Sequence, residues 1–310
     1  LATNRFFDNV NRTISSVNFQ YKPFNWLNFT YRFGNDIYTD NRDYHAPGPI
    51  GIVNEKVNES NGFGFVNETF LKNRVITSTL IANISHTFNN QISFNLNLGH
   101  DLTDKKYKRV STFGDTLVVN DLFLLQNAKK VTGDNYLEDY RNYGFFADMT
   151  IGYKNAIFLN LTGRQDNTST LNPKNRTYYY PSASLSWVFT DFFDLSNQQS
   201  WLSYGKLKTS FATVAKDGTP YSILSGFGLG DKIGTLIPFT RNDQYGNYNL
   251  RPEFTNTIEY GFEMRFFKNR LGIDFTRYSA LSKDLIVPVP ISASTGYTST
   301  YLNAGEISNK

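Results

Sequence analysis

The residues of this chain whose types could do chemistry are three histidines, a few close carboxylates and one glycine cluster. His45, His86 and His100 are far apart in the sequence. None has metal-ligand spacing to another histidine or to a carboxylate. His86 and His100 fall on opposite strands of one expected hairpin, near different ends. With no cysteine, thiolate zinc sites, disulfides and cysteine nucleophiles are excluded. Neither a metal nor a cofactor is expected. The close carboxylates are Asp101 with Asp104, Glu138 with Asp139, and Asp191 with Asp194. Glycosidase chemistry needs two carboxyls about 5–9 Å apart in a cleft, one of them with a raised pKa. These pairs sit in loops and at strand ends, where solvated and capping roles are ordinary, so the chain is read as no enzyme. Gly226-Phe227-Gly228-Leu229-Gly230 lacks the preceding strand and following helix of a nucleotide site and reads as a flexible loop.

The elements that must carry these residues are strands. Ile92, Phe94, Leu96 and Leu98 alternate with Ser93, Asn95, Asn97 and Gly99. Ala183, Leu185, Trp187 and Phe189 alternate with Ser182, Ser184, Ser186 and Thr190; Ile258, Tyr260, Phe262, Met264 and Phe266 alternate with Glu259, Gly261, Glu263 and Arg265. A helix would scatter such residues around its circumference, whereas a strand sorts them onto two faces. The same pattern predicts eleven strands, over 12–22, 25–39, 63–88, 91–104, 140–153, 156–168, 177–190, 203–215, 253–267, 270–283 and from 299 onward. Several exceed the 9–11 residues that a tilted strand needs to cross a bilayer.

Connections alternate in length. Short turns are expected at Lys22–Asn25, Asn89–Asn90, Lys154–Asn155 and Lys268–Asn269, with a somewhat longer one at Asp191–Leu202. Long connections are expected at 40–62, 105–139, 169–176, 216–252 and 284–298. Short turns on one rim and long loops on the other are the habit of outer-membrane barrels. Aromatics sit where strands would leave an apolar band: Phe24, Trp26, Phe192, Phe193, Trp201, Phe266 and Phe267 beside short turns, and Tyr178, Tyr179 and Tyr180 at the other end of their strand.

Composition agrees. The chain has 310 residues, 16% of them aromatic, and no stretch of about 20 apolar residues such as a membrane helix requires. A net charge of +4 with no long basic tract leaves no electrostatic footprint for nucleic acid. No second domain, linker or fixed-period repeat is visible. Read as barrel strands, the Asn-x-Ser/Thr triplets at Asn28, Asn83 and Asn160 are not glycosylation sites. Backbone groups in lipid need protein partners, which a sheet supplies only by closing on itself. Eleven strands with apolar outer faces would form an open arc. The expected fold is therefore an all-β, antiparallel up-and-down transmembrane β-barrel, about half of a 22-stranded plugged barrel.

Several segments carry a family resemblance. Leu161-Thr162-Gly163-Arg164-Gln165-Asp166, Tyr180-Pro181-Ser182-Ala183-Ser184-Leu185-Ser186-Trp187 and Lys206-Leu207-Lys208-Thr209-Ser210-Phe211-Ala212 resemble the barrel of SusC/RagA-type TonB-dependent transporters. So does Tyr301-Leu302-Asn303-Ala304-Gly305-Glu306-Ile307-Ser308-Asn309-Lys310. Asn249-Leu250-Arg251-Pro252-Glu253, followed by Thr255, Glu259 and Gly261, is similar to a signature of TonB-dependent barrels. Val214-Ala215-Lys216-Asp217 departs from the family, which often has Gly-Asn there. The resemblance implies import of an oligosaccharide or a peptide across the bacterial outer membrane. It also implies a SusD-like surface lipoprotein as lid and TonB as energy coupler. Residues 1–310 are then a partial barrel domain, and the plug, the TonB-binding segment and the closing C-terminal strands are expected to lie outside this sequence. Competing readings are a passive porin or adhesin barrel, and a secreted carbohydrate-binding β protein or hydrolase.

Two sets of residues are candidates for contact. Lys206, Lys208, Glu259, Glu263 and Arg265 are expected on the inner face, either touching plug or substrate or forming a charge lattice among themselves. Tyr44, Phe63, Phe65, Tyr221, Phe227, Tyr245 and Tyr248 are expected in loops, where they would stack on sugar faces, pack on the lid, or pack on one another.

Overall fold

A computed structural model describes residues 5–48, 63–195, 201–230 and 233–310. Most of the expected 40–62 connection and part of 191–202 lie outside the described residues. All eleven expected strands are present. They are β1 (Arg5–Phe24), β2 (Leu27–Ala46), β3 (Phe65–Phe88), β4 (Ile92–Leu117), β5 (Ala128–Tyr153), β6 (Ile157–Thr168), β7 (Thr177–Val188), β8 (Leu202–Lys216), β12 (Glu253–Phe266), β13 (Leu271–Pro290) and β14 (Ser299–Asn309). Three short strands lie between β8 and β12: β9 (Phe227–Leu229), β10 (Phe239–Arg241) and β11 (Gln244–Tyr245). Every long strand pairs with its sequence neighbour, in the order β1-β2-β3-β4-β5-β6-β7-β8-β12-β13-β14-β11. This is an antiparallel meander, save that β11 pairs in parallel with the start of β14.

Short turns fall where Asn and Lys predict them. Asn89 and Asn90 have φ of 49° and 52°, and Lys154 and Asn155 both have 52°. The Gln91 N–H donates to the Phe88 carbonyl and the Ala156 N–H to the Tyr153 carbonyl, each at 3.0 Å. Two left-handed residues inside such a bond make the turn whose twist matches two paired strands.

Four expectations need correction. The segment 105–139 is not one long loop: β4 continues to Leu117 and β5 starts at Ala128, leaving 118–127 as the connection. Lys105, Lys106, Lys108 and Arg109 occupy both faces there, so backbone pairing persists without an apolar stripe to reveal it. Likewise β13 runs on to Pro290 past the irregular register between Ser282 and Ile286, and the connection shrinks to 291–298. Residues 226–230 are not a flexible loop, because Phe227, Gly228 and Leu229 pair with Arg241, Thr240 and Phe239. Finally, the three consecutive tyrosines do not all border the apolar band. Tyr179 points out and is exposed, whereas Tyr178 is buried beside Leu171 and Leu250, and Tyr180 donates to Asp166.

By contact density the chain forms two units, one of 1–17, 33–77 and 103–140, the other of 18–32, 78–102 and 141–310. In the first, Phe65, Val66, Leu71 and Leu117 are buried and His45 stacks on Phe123 at 4.0 Å. In the second, Leu250 is fully buried in a small core with Leu171 and Tyr178. Neither is a sandwich core. The apolar side chains of one sheet face are left largely exposed, among them Ile258, Tyr260, Leu207, Phe211 and Leu185.

Candidate functional site

Register sorts the second unit into two chemically opposite faces. Directly opposed residues of antiparallel strands share a face. Lys206 lies opposite Glu263, Lys208 opposite Gly261, Ser210 opposite Glu259, and Tyr204 opposite Arg265. On the next strand Asp274 lies opposite Glu263 and Thr276 opposite Gly261. All five expected inner-face charges are thus brought to one face. Leu207 lies opposite Phe262, Phe211 opposite Ile258, and Leu202 opposite Phe266, which makes the reverse face apolar.

The charges of this polar face form a partial lattice. Lys208 Nζ reaches Asp274 at 3.0 Å, and Arg265 reaches Glu263 at 2.8 Å while lying over the Tyr204 ring. Glu259 faces Ser210 and Tyr278 across the ladder.

Sequence reading missed the densest part of this face. Arg164 on β6 bridges Asp101 of β4 at 3.0 Å and Asp166 of its own strand at 2.7 Å. The Tyr180 hydroxyl donates to Asp166 at 2.6 Å, and the Phe146 ring lies 5.9 Å from the guanidinium. Two carboxylates on one guanidinium leave a local charge of −1. One rung nearer the short turns, Asp148 accepts from Asn160 at 3.0 Å, Thr162 at 3.1 Å and Asn97 at 3.4 Å. Asn83 donates to Asn97 at 2.7 Å and to Asn95 at 3.2 Å. Parity could have placed these residues inward; their meeting across 63 residues of chain could not be read locally.

The loop signature is a hub. Asn172 and Asn175 donate to the carbonyls of Tyr248, Asn249 and Leu250, clamping the segment in front of β12. Arg251 bridges Asp284 at 3.0 Å, and Asn303 donates to the Arg251 and Asp284 carbonyls. The Glu253 carboxylate accepts from Ile286 N–H at 2.8 Å. Nearby, Thr168 and Thr170, both buried, donate to Asp217.

The aromatic candidates separate. Phe65 is only 3% exposed, packed against Tyr44 and Phe113, so it supports the chain and offers no contact face. Tyr44 is half-buried against Phe6 and Phe65. Phe63, Tyr221, Phe227, Tyr245 and Tyr248 are exposed, with Tyr245 edge-on to Tyr297 at 5.0 Å. Arg241 lies 4.3 Å over that same Tyr297 ring.

Asp191 and Asp194 stay close, the Asp194 N–H donating to the Asp191 carbonyl at 3.4 Å, but Asp101 and Asp104 part. Asp101 bridges Arg164, whereas Asp104 lies 3.8 Å from Arg74 in the other unit. Glu138 accepts from Tyr136. His45 contacts Asp43, while His86 and His100 lie against Phe88 and Phe145. Among the described residues no group of three or more metal-ligating side chains forms.

A family model described as "TonB dependent receptor-like, beta-barrel" matches the chain over its whole extent, residues 1–310. This chain belongs to the TonB-dependent receptor β-barrel family. TonB-dependent receptor P3 of Formosa agariphila is 24% identical over 261 residues, which is 80% of this chain and 26% of that protein. TonB-dependent receptor P26 of the same organism is 28% identical over 184 residues, 56% of this chain and 18% of its own length. The chain thus spans about a quarter or less of these relatives. Among solved structures, the RagAB peptide transporter superposes with a TM-score of 0.88 at 18% identity, covering 99% of this chain and 34% of that one. The siderophore receptor PiuA of Acinetobacter baumannii gives 0.54 at 16% identity, covering 97% and 43%. The shared feature is the barrel fold. The family is one of receptors.

Proposed function

We propose that this chain is part of the barrel wall of an energised importer in the bacterial outer membrane, carrying a peptide or an oligosaccharide inward. The observation that carries the reading is the division of each strand into an apolar face and a face of charges, amides and hydroxyls. Only a barrel wall with lipid outside and a wet or plugged interior makes both faces favourable. β1 has one unpaired edge, and the outer edge of β14 is paired with β11 only at Ser299 and Thr300. Unpaired strand groups in lipid cost several kcal/mol each, so further strands of a longer protein close the ring. A plug and a TonB-binding segment outside this sequence complete the machine, and a SusD-like lipoprotein covers its mouth. The likeness to the RagAB peptide transporter supports a peptide as cargo. On this reading Phe63, Tyr221 and Tyr248, with Phe227 of β9 and Tyr245 of β11, contact cargo or lid. The inner charges Lys206, Lys208, Glu259, Glu263 and Arg265, and with them Arg164, face the plug.

The test is uptake of labelled oligopeptides and, separately, labelled oligosaccharides by cells carrying the full-length protein, with and without a protonophore. Accumulation of one class that collapses with the protonophore or without TonB is expected. Uptake indifferent to both makes the barrel a passive pore. Release of the protein from the membrane fraction without detergent overturns the membrane assignment itself.

A further inference from the structure

On the apolar face of the second unit, three small or ring residues line up across three strands. Ala147 of β5 lies opposite Gly163 of β6, and Gly163 lies opposite Pro181 of β7. The rows on either side are bulkier: Phe145, Gln165 and Tyr179 on one, and Met149 and Leu161, ending in the small Ala183, on the other. The result is a transverse trough of about 630 Å³, walled also by Leu98. Its floor is empty of side chain, for a Cβ placed on Gly163 would meet nothing within 4 Å. Such a volume is within the range of small-molecule sites, roughly 300–1,000 Å³.

Three observations narrow the occupant. The walls are apolar, and the trough is continuous with the face that the barrel turns to hydrocarbon. Its far rim is polar at two points, the Gln165 amide and the hydroxyl of the exposed Tyr179. Its height suits the bilayer. Gly163 is six residues along β6 from Ile157, about 20 Å of strand. At a tilt of about 40° that is about 15 Å of height within an apolar band about 25 Å tall. The polar rim then stands near the band's edge farther from the short turns.

We propose that this trough is a lipid-binding site that seats one ester-linked acyl chain of a membrane lipid, with its ester end at Gln165 and Tyr179. The proposal rests on the lipid-facing assignment of this sheet face. Apolar transfer supplies no driving force here, because the chain leaves one hydrocarbon for another. What distinguishes the seated lipid is packing: the Gly163 floor and the ring walls give it close contacts on several sides.

The experiment is native mass spectrometry of the full-length protein, purified in detergent and mixed with dioleoylphosphatidylglycerol. Collisional activation that strips loosely held lipid should leave one adduct on the natural protein. Gly163→Phe and Ala147→Phe each fill the trough and should cut retention about tenfold. Leu159→Phe, on the same face but in an already filled row, should keep it. Only variants that retain the heat-dependent electrophoretic shift of a folded barrel are scored. Retention in both filled variants, or equal loss in Leu159→Phe, overturns the site. A protein dimer that Gly163→Phe dissociates would also overturn it, giving the trough to a second copy. Failure of the lipid-facing assignment is read separately, as extraction without detergent before any adduct is counted.

Discussion

Replacing Leu207 by arginine separates a membrane wall from a soluble sheet. Leu207 lies between Trp187 and Phe262 on the apolar face. It is five residues into β8, about 17 Å along the strand, hence about 13 Å up a band about 25 Å tall. That is close to the midplane, where an arginine costs about 2–4 kcal/mol. The folding equilibrium should fall roughly 30- to 700-fold. No cavity penalty is added, because Leu207 is substantially exposed in the sheet and lipid fills the space. Ser210→Arg is the matched control. Ser210 shares a strand with Leu207 but lies between Ser184 and Glu259 on the polar face. Its change should stay within about 1 kcal/mol, because a cation opposite Glu259 gains a modest ion pair. The assay is guanidinium-dependent folding of the full-length protein into phosphatidylcholine vesicles, followed by the electrophoretic shift. Equal costs at the two positions, or a greater one at Ser210, would refute the assignment of faces.

Further outcomes follow from other parts of the wall and rim. Arg164→Gln leaves Asp101 and Asp166 facing each other without their cation and should cost about 1–3 kcal/mol. In the same vesicle titration, adding Asp166→Asn should recover part of the loss; no recovery would show that the pairing is not what matters. Leu250→Ala empties a fully buried position and should cost about 2–5 kcal/mol, with faster proteolysis inside 216–252 than inside 291–298. Asn155→Val puts a β-branched residue at φ 52° and should cost about 1–2 kcal/mol by the same titration.

How far the fold could be read depended on whether side chains marked the strand. Ser182–Trp187 and Ile258–Phe266 announce themselves because one face meets hydrocarbon. Lys105–Leu117 and Ala128–Asp139 do not, because charges on both faces erase the period while backbone pairing continues. Pro288 and Pro290 fall within the connection expected at 284–298, yet both lie in β13, with Pro288 opposite Tyr301. Face assignments for Lys206, Lys208, Glu259, Glu263 and Arg265 were legible because period two carries them. The Arg164 cluster was not, because its partners come from three strands. Phe65 misled because an aromatic beside a glycine-rich segment looks the same whether it is offered or buried.

The connection before β12 is riveted to the one before β14. Arg241 donates to the Gly296 carbonyl, Thr298 N–H to that of Asp243 at 2.8 Å, and Asn247 to that of Tyr301 at 2.8 Å. Insertions or deletions in either connection would therefore strand acceptors in the other. Diversification of this rim should proceed by exchanging both segments as one cassette. A chimera that swaps only 291–298 would be expected to lose order in 241–247 although none of those residues has changed.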